Sequence, residues 1–298
     1  RRHLGAALPH PGCSAGVRAY LGYAAPIWLS DSVGTLSRYV DRAVVLHYFS
    51  WATFAAYQLG ALEVPVSLLL AAVATVLVPE VSALYHEGQQ ERIGALWHQA
   101  VGRLALVVLP LFFFLFTFAD SLAVALYTER YAESGWVLRI LVVALPVRCA
   151  VYNPLLIGTG KPRWALWGSL ADLALNALLS VGLVHLLREG APAWAFLAPA
   201  VATVLATYAQ VAGLICLIAR HLGWRLALVL PWRRLLRIAG LCALAAAVAL
   251  AASGWVAVGV ARLGLGGIAF AASLGLLLWR CPQERSQVRS VLSVLRGR

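Results

Sequence analysis

Charge is scarce in this sequence: Asp, Glu, Lys and Arg together make up 12% of 298 residues, about half the usual share of a soluble domain. That scarcity excludes an ordinary soluble fold, and a hydrophobic share of 62% with a mean hydropathy of +0.82 points to lipid as the solvent. Methionine is absent altogether, including from position 1, so the sequence is expected to be a piece of a longer chain whose N-terminal part is missing. The opening RRHLGAALPHPGC has no apolar core of the kind a secretory signal requires. Five cysteines (Cys13, Cys149, Cys216, Cys242 and Cys281) are scattered without any C-x-x-C or Cys/His spacing, which removes a disulfide framework and a zinc site and leaves them as small apolar fillers. No HExxH, GxSxG or DxD occurs. The GTGK at 158–161 has Leu155 and Pro162 where a phosphate loop needs Gly and Ser/Thr, so it reads as a turn. GLGG at 264–267 lacks a βαβ setting and reads as close helix packing. Neither a catalytic centre nor a metal or cofactor site is expected.

What the sequence does have is long apolar runs. A span needs roughly 20 such residues, and eight candidates lie near 19–45, 55–80, 103–123, 134–157, 163–187, 194–219, 235–253 and 260–279. The fold class is therefore all-α, a polytopic transmembrane helix bundle, with connections too short to hold a soluble catalytic domain. Two segments look interfacial instead. Residues 86–103 place Ile93, Leu96, Trp97 and Ala100 on one helical face, and residues 283–298 do the same with Val288, Val291, Leu292 and Leu295. The implied organisation is a lead-in at 1–18, a six-span unit at 19–219, a connection with two accessory spans at 220–282, and an amphipathic tail at 283–298.

A net charge of +12 suggests nucleic acid until the spans are drawn. Of the 24 basic residues, Arg38, Arg42, Arg130, Arg188 and Arg262 fall on one side, and Arg139 and Arg148 fall inside the fourth span. All the others lie on the opposite side. By the positive-inside rule that side, with both ends of the sequence, is cytoplasmic; the excess is a topology signal that also favours anionic lipid, and nucleic acid is not an expected partner.

Against this apolar ground the charged residues inside spans stand out, because each costs about 2.5–3.5 kcal/mol at the centre of a bilayer by insertion scales. In the first span Asp31, Gly34, Thr35, Arg38, Asp41 and Arg42 share an arc of about 120°. A rise of ~1.5 Å per residue puts Asp31 about 18 Å in, near the midplane, and Arg38 about 28 Å in, near the outer boundary. Asp31 is expected to face a cavity or a partner in another helix. Arg38, Asp41 and Arg42 serve either as interfacial anchors, with Arg38 and Asp41 paired at i, i+3, or as part of the same path. Ser169, Asp172, Asn176 and Ser180 form a second polar face in the fifth span, which fits helix-to-helix glue and cavity lining equally. In the fourth span Arg139, Pro146 and Asn153 share a face with Arg148 opposite. Each arginine could grip a phosphate through two parallel hydrogen bonds, or pair with Asp31, Glu63 or Asp172, and Arg139 could snorkel. Glu63, in the second span, could pair with an arginine or take up a coupling proton. Pro65, Pro110, Pro146 and Pro199 give the spans places to bend.

Several stretches, taken in order, resemble one family. YLGYAAPIWLSDSVGTLSRYVDRAVV resembles the segment opening the second half of polysaccharide and lipid-linked oligosaccharide flippases of the multidrug/oligosaccharidyl-lipid/polysaccharide exporter superfamily, with Arg18, Gly22, Pro26, Asp41 and Arg42 as counterparts. Tyr57, Pro79 and Ser82 follow in the next span, Leu126, Tyr127 and Tyr131 match an LYG…Y loop with Thr128 in place of glycine, IGTGKPR matches a Gly-x-Gly-Lys turn, and Asn176 with AVAT at 200–203 matches a later run. The last two spans match in hydropathy alone. The resemblance implies the second half of a 12–14-span pseudo-symmetric transporter in a bacterial or archaeal cytoplasmic membrane. It implies alternating access by which a polyprenyl-diphosphate-linked oligosaccharide is flipped, the alternatives being a drug/cation antiporter or a lipid II flippase, and, further off, an integral-membrane glycosyltransferase or polymerase. Implied partners are that lipid-linked substrate, membrane lipid, the missing N-terminal half, and a polymerase and glycosyltransferases of the same pathway.

Overall fold

A computed structural model describes residues 13–62 and 66–281. These residues are helical, with no strand among them. The elements are α1 (Cys13–Tyr48), α2 (Trp51–Gly60), α3 (Val66–His86), α4 (Gln90–Tyr127), α5 (Ser134–Val142), α6 (Leu145–Arg148), α7 (Tyr152–Gly158), α8 (Pro162–Gly190), α9 (Ala198–Leu222), α10 (Leu226–Val229), α11 (Trp232–Ser253) and α12 (Val260–Arg280). Short 3-10 turns at Glu129–Tyr131 and Pro192–Leu197 precede α5 and α9.

Local chemistry sets several boundaries. Ser50 caps α2, its hydroxyl accepting from the Thr53 amide at 3.2 Å. Pro162 opens α8, where its missing N–H is no loss. Gly223 ends α9 in the left-handed conformation (φ 67°), and its amide returns to the Ala219 carbonyl. Thr128, where α4 stops, also has a positive φ (73°), but its ψ of 168° puts it outside the left-handed helical region.

Six helices are long and apolar enough to cross a membrane: α3, α4, α8, α9 with its leading turn, α11 and α12; a seventh span arises if α5–α7 count as one. The first of the eight expected spans is α1, 36 residues long, which is not among these six. Three expectations are corrected. The run at 55–80 is not one helix: α2 ends at Gly60 and α3 begins only at Val66. Residues 90–103 are no separate interfacial helix, but the first turns of a 38-residue α4 that continues into its span. Their apolar face is packed inside the protein, with Ile93, Trp97 and Val101 inaccessible and Trp97 stacked on Trp224 at 6.2 Å. The fourth span is broken, α5–α6 and α7 meeting at a 40° bend around Cys149–Val151. Glu63, Pro65, residues 1–12 and the amphipathic tail at 283–298 lie outside the described residues.

The packing order is α1 on α8 and α8 on α9, with α7 on α3, α5 on α4, and α11 and α12 on each other and on α4. The main core joins Ile93, Trp97, Val108, Leu155, Ile218 and Ile238. Smaller clusters form around Val45, Tyr57 and Val137, and around Phe118, Ala249 and Phe270. In the last of these Gly266 meets the Phe118 ring face to face, leaving no space for a β-carbon.

Candidate functional site

Helices α1 and α8 meet along a ladder of polar side chains. The hydroxyls of Ser30 and Ser169 lie 3.0 Å apart, and Ser37 Oγ donates to Asp172 Oδ2 at 2.6 Å. Asn176 Nδ2 donates to the Ser37 carbonyl at 3.0 Å, while Asn176 Oδ1 accepts from Ser180 at 3.1 Å and from Thr203 of α9 at 3.3 Å. Asn176 is 1% exposed, so it binds three helices together and faces no cavity. Polar groups buried away from water must be paired in this way, and both ends of this amide are. Asn176 thus spends its amide on bonds between helices, and Asp172, one turn earlier, stands at the edge of a cluster.

That cluster forms at the broken span. Arg148 is the last residue of α6 and Tyr152 the first of α7, so both sit at the bend. The Tyr152 hydroxyl donates to Gln210 Oε1 at 3.4 Å and lies in the electrostatic field of Asp172, Arg148 and Asp31; Asp172 in turn feels Arg148. Five elements contribute: α1, α6, α7, α8 and α9. Asn153, one residue beyond Tyr152, keeps a buried Oδ1 with no hydrogen-bond partner among the described residues. A break in a span frees backbone groups and small polar atoms at membrane depth, an arrangement tolerated where the backbone lines a cavity.

Asp31 is exposed on α1, where its backbone carbonyl accepts from the Thr35 hydroxyl. Arg38, also exposed, donates to the same hydroxyl at 3.0 Å, so the expected Arg38–Asp41 pair does not form. With Trp28 and Tyr39, 69% and 47% exposed, Asp31, Thr35 and Arg38 make an open face of α1 that mixes charge with aromatic surface.

Asp41 belongs to a different environment. It is 3% exposed and accepts from the Tyr57 hydroxyl at 2.8 Å and from the Arg42 amide at 2.8 Å. Arg42 donates to the Ala61 carbonyl at 3.0 Å and covers the Tyr39 ring at 5.0 Å. The single stripe read from helical angles is therefore divided, Asp31 and Arg38 opening outward while Asp41 and Arg42 tie α1 to the end of α2.

Arg139 is also elsewhere. It pairs with Asp120 of α4 at 2.7 Å, donates to the Phe116 carbonyl at 3.2 Å, and stacks over Trp136 at 4.8 Å. Of the anticipated acids, neither Asp31 nor Asp172 is its partner among the described residues, and Glu63 lies outside them. Asp120 went unnoticed because it falls near the end of an otherwise apolar run, where one charge carries no sequence signal. Tyr152 carries no sequence signal either, being unremarkable in a hydrophobic stretch, whereas Tyr57 enters through the family resemblance alone.

Residues 8–135 match the family model described as polysaccharide biosynthesis protein. The fold is similar to that of the lipid II flippase MurJ in an inward closed conformation, with a TM-score of 0.64 over 91% of this chain at 12% identity. A second solved structure, a MOP superfamily transporter from Pyrococcus furiosus whose description concerns the reversed polarity of its binding pocket, aligns at a TM-score of 0.46 with 20% identity, over 86% of this chain and 62% of that one. The chain spans 56% of the length of the MurJ structure it matches. No curated protein matches the sequence.

Proposed function

We propose that the chain is part of a membrane transporter of the flippase type, akin to the multidrug/oligosaccharidyl-lipid/polysaccharide exporter superfamily, and that this transporter flips a polyprenyl-diphosphate-linked oligosaccharide across the cytoplasmic membrane, with both ends of this sequence on the cytoplasmic side. The observation that carries this reading is Arg148 at the break between α6 and α7, four residues before Tyr152 and near enough to Asp172 for their charges to interact. A diphosphate-linked sugar presents two kinds of surface, an anionic bridge and a field of hydroxyls. Guanidinium groups suit the first, because they donate in parallel to phosphate oxygens. Carboxylates suit the second, since they accept hydrogen bonds from hydroxyls. Arg148 and Arg38 would hold the diphosphate, Asp31 and Asp172 would receive sugar hydroxyls, and the polyprenyl tail would stay in the bilayer. The open face of α1 would turn toward the half of the transporter that precedes this segment, so that the path runs between the halves. Alternating access then amounts to rocking one half against the other around this polar midplane.

One observation favours a second reading. With Arg139 held by Asp120, the cluster has one arginine fewer than the sequence suggested, and Asp31 with Asp172 could draw a cation, as a drug/cation antiporter requires. The two readings separate in one experiment. In cells whose chromosomal copy is deleted, the complete protein with Arg148→Ala should leave lipid-linked sugar on the cytoplasmic face. Normal export with altered resistance to cationic compounds would instead favour the antiporter.

A further inference from the structure

At the end of the bundle opposite the basic connections, three hollows run into one another. Between α4, α5 and α9 lies an apolar groove of about 510 Å³ in which Arg139 is the one charged wall residue. Phe116 and Arg139 also wall a hollow of about 420 Å³ that contains Asp120 and Arg262. Asp120 and Trp136 pass into a third, of about 470 Å³, which holds Glu129 and Glu133. The lining thus changes from apolar to basic to acidic.

Depth follows the same order. On α9 the groove reaches Leu205, seven residues and roughly 10 Å inside the start of that helix. Arg139 is about 7.5 Å inside the start of α5, and Arg262 about 3 Å inside the start of α12. Glu129 and Glu133 lie outside the spans, on the α4–α5 connection, and both are exposed. Arg262 brings a buried Nε with no hydrogen-bond partner among the described residues, whereas Arg139 already donates to Asp120 and to a backbone carbonyl.

We propose that these hollows form one binding site for a membrane phospholipid with a phosphoethanolamine headgroup. An acyl chain lies in the groove, the phosphate is held by Arg262 and Arg139, and the ammonium reaches Glu129 and Glu133. Charge complementarity selects this occupant. A phosphoethanolamine carries its negative group nearer the chains and its positive group farther out, matching arginines below and carboxylates above. A glycerol headgroup offers the carboxylates hydroxyls but no positive charge, and a choline headgroup has a positive charge but no N–H to donate to them. Trp136, edge-to-face with Trp194 at 5.6 Å, stands beside Arg139 at the headgroup level, where amphipathic rings are favoured. The site is independent of the transported cargo.

Native mass spectrometry of the complete, delipidated protein with phosphatidylethanolamine, phosphatidylcholine and phosphatidylglycerol of identical chains tests the site. Phosphatidylethanolamine should be retained about tenfold better than either competitor, the ratio expected from one charge-assisted contact. Arg262→Gln should lower retention of all three lipids. The double variant Glu129→Gln/Glu133→Gln changes exposed side chains only and should erase the preference over phosphatidylcholine. Equal retention of the three lipids, a preference for phosphatidylglycerol, or a preference for phosphatidylethanolamine that survives the double variant would overturn the proposal.

Discussion

The Tyr57 hydroxyl donates to the carboxylate of Asp41 at 2.8 Å, and both side chains are almost wholly removed from the surface, at 0% and 3% exposure. One hydrogen bond thereby joins α2 to α1 across a site where an unpaired carboxylate would be costly. Tyr57→Phe removes the donor while keeping the ring, so the carboxylate retains only its contact with the Arg42 amide and its attraction to the Arg42 charge. Stability should fall by about 1–3 kcal/mol. Thermal unfolding of the detergent-solubilised protein measures it, and adding Asp41→Asn should cost much less in the Tyr57→Phe background than in the native one.

Arg148 and Arg139 occupy the same broken span but should respond differently to loss. Arg148→Ala should reduce transport at least about tenfold with normal membrane insertion, because a guanidinium-to-phosphate contact is worth that much. Arg139→Ala should lower folded yield, since it strands Asp120 on α4. Comparing transport per folded molecule for the two variants checks the distinction.

Asp31 stands exposed on α1. Asp31→Asn should leave folded yield unchanged and impair transport. Reduced yield with normal transport per molecule would assign Asp31 a packing role.

The legible part of the molecule was its helical class and the order of its spans, because hydropathy runs of about 20 residues carry that information directly. Breaks were harder to see. Leu59 to Val66 reads as one apolar stretch around Glu63, yet α2 stops at Gly60. The inner turns of α4 show an amphipathic pattern that fits a membrane surface and a protein core equally, and the stack of Trp97 on Trp224 shows which of the two is adopted. Helical angles brought Asp31, Arg38, Asp41 and Arg42 onto one side of α1, but they say nothing of which neighbour covers that side. Ser37 shows the limit most directly. As a serine in a span it attracted no notice, although it contacts Asp172 and Asn176, both more than 130 residues away.

Gly158 ends α7 against α3. A β-carbon there would lie 2.7 Å from Val81 Cγ1, 2.9 Å from Val81 Cβ and 3.1 Å from the Val78 carbonyl. Gly158→Ala should therefore push α7 off α3 and destabilise the protein by about 1–3 kcal/mol, read as a lower unfolding temperature. Gly182→Ala, with open space at the corresponding atom, is the matched control and should be neutral or slightly stabilising.

Orientation can be read by cysteine labelling at Glu87 and Gly190, both exposed and separated by α4 to α8. Glu87 is preferable to its neighbour Gly88, whose φ of 73° suits no larger side chain. A membrane-impermeant thiol reagent applied to intact cells should modify Gly190→Cys and spare Glu87→Cys.

The ladder between α1 and α8 has a mechanical consequence. Its hydroxyl rungs, Ser30, Ser37, Ser169 and Ser180, are all residues that can turn back to the carbonyl one helical turn earlier when a partner leaves. Ser32 already does so with Trp28, and Thr207 with Thr203. Parting these two helices would strand few hydroxyls, so the seam behaves like a zip whose teeth fold flat as it opens. The hydroxyls of such a contact are specific when it is closed and leave little of their own bonding unsatisfied when it is open.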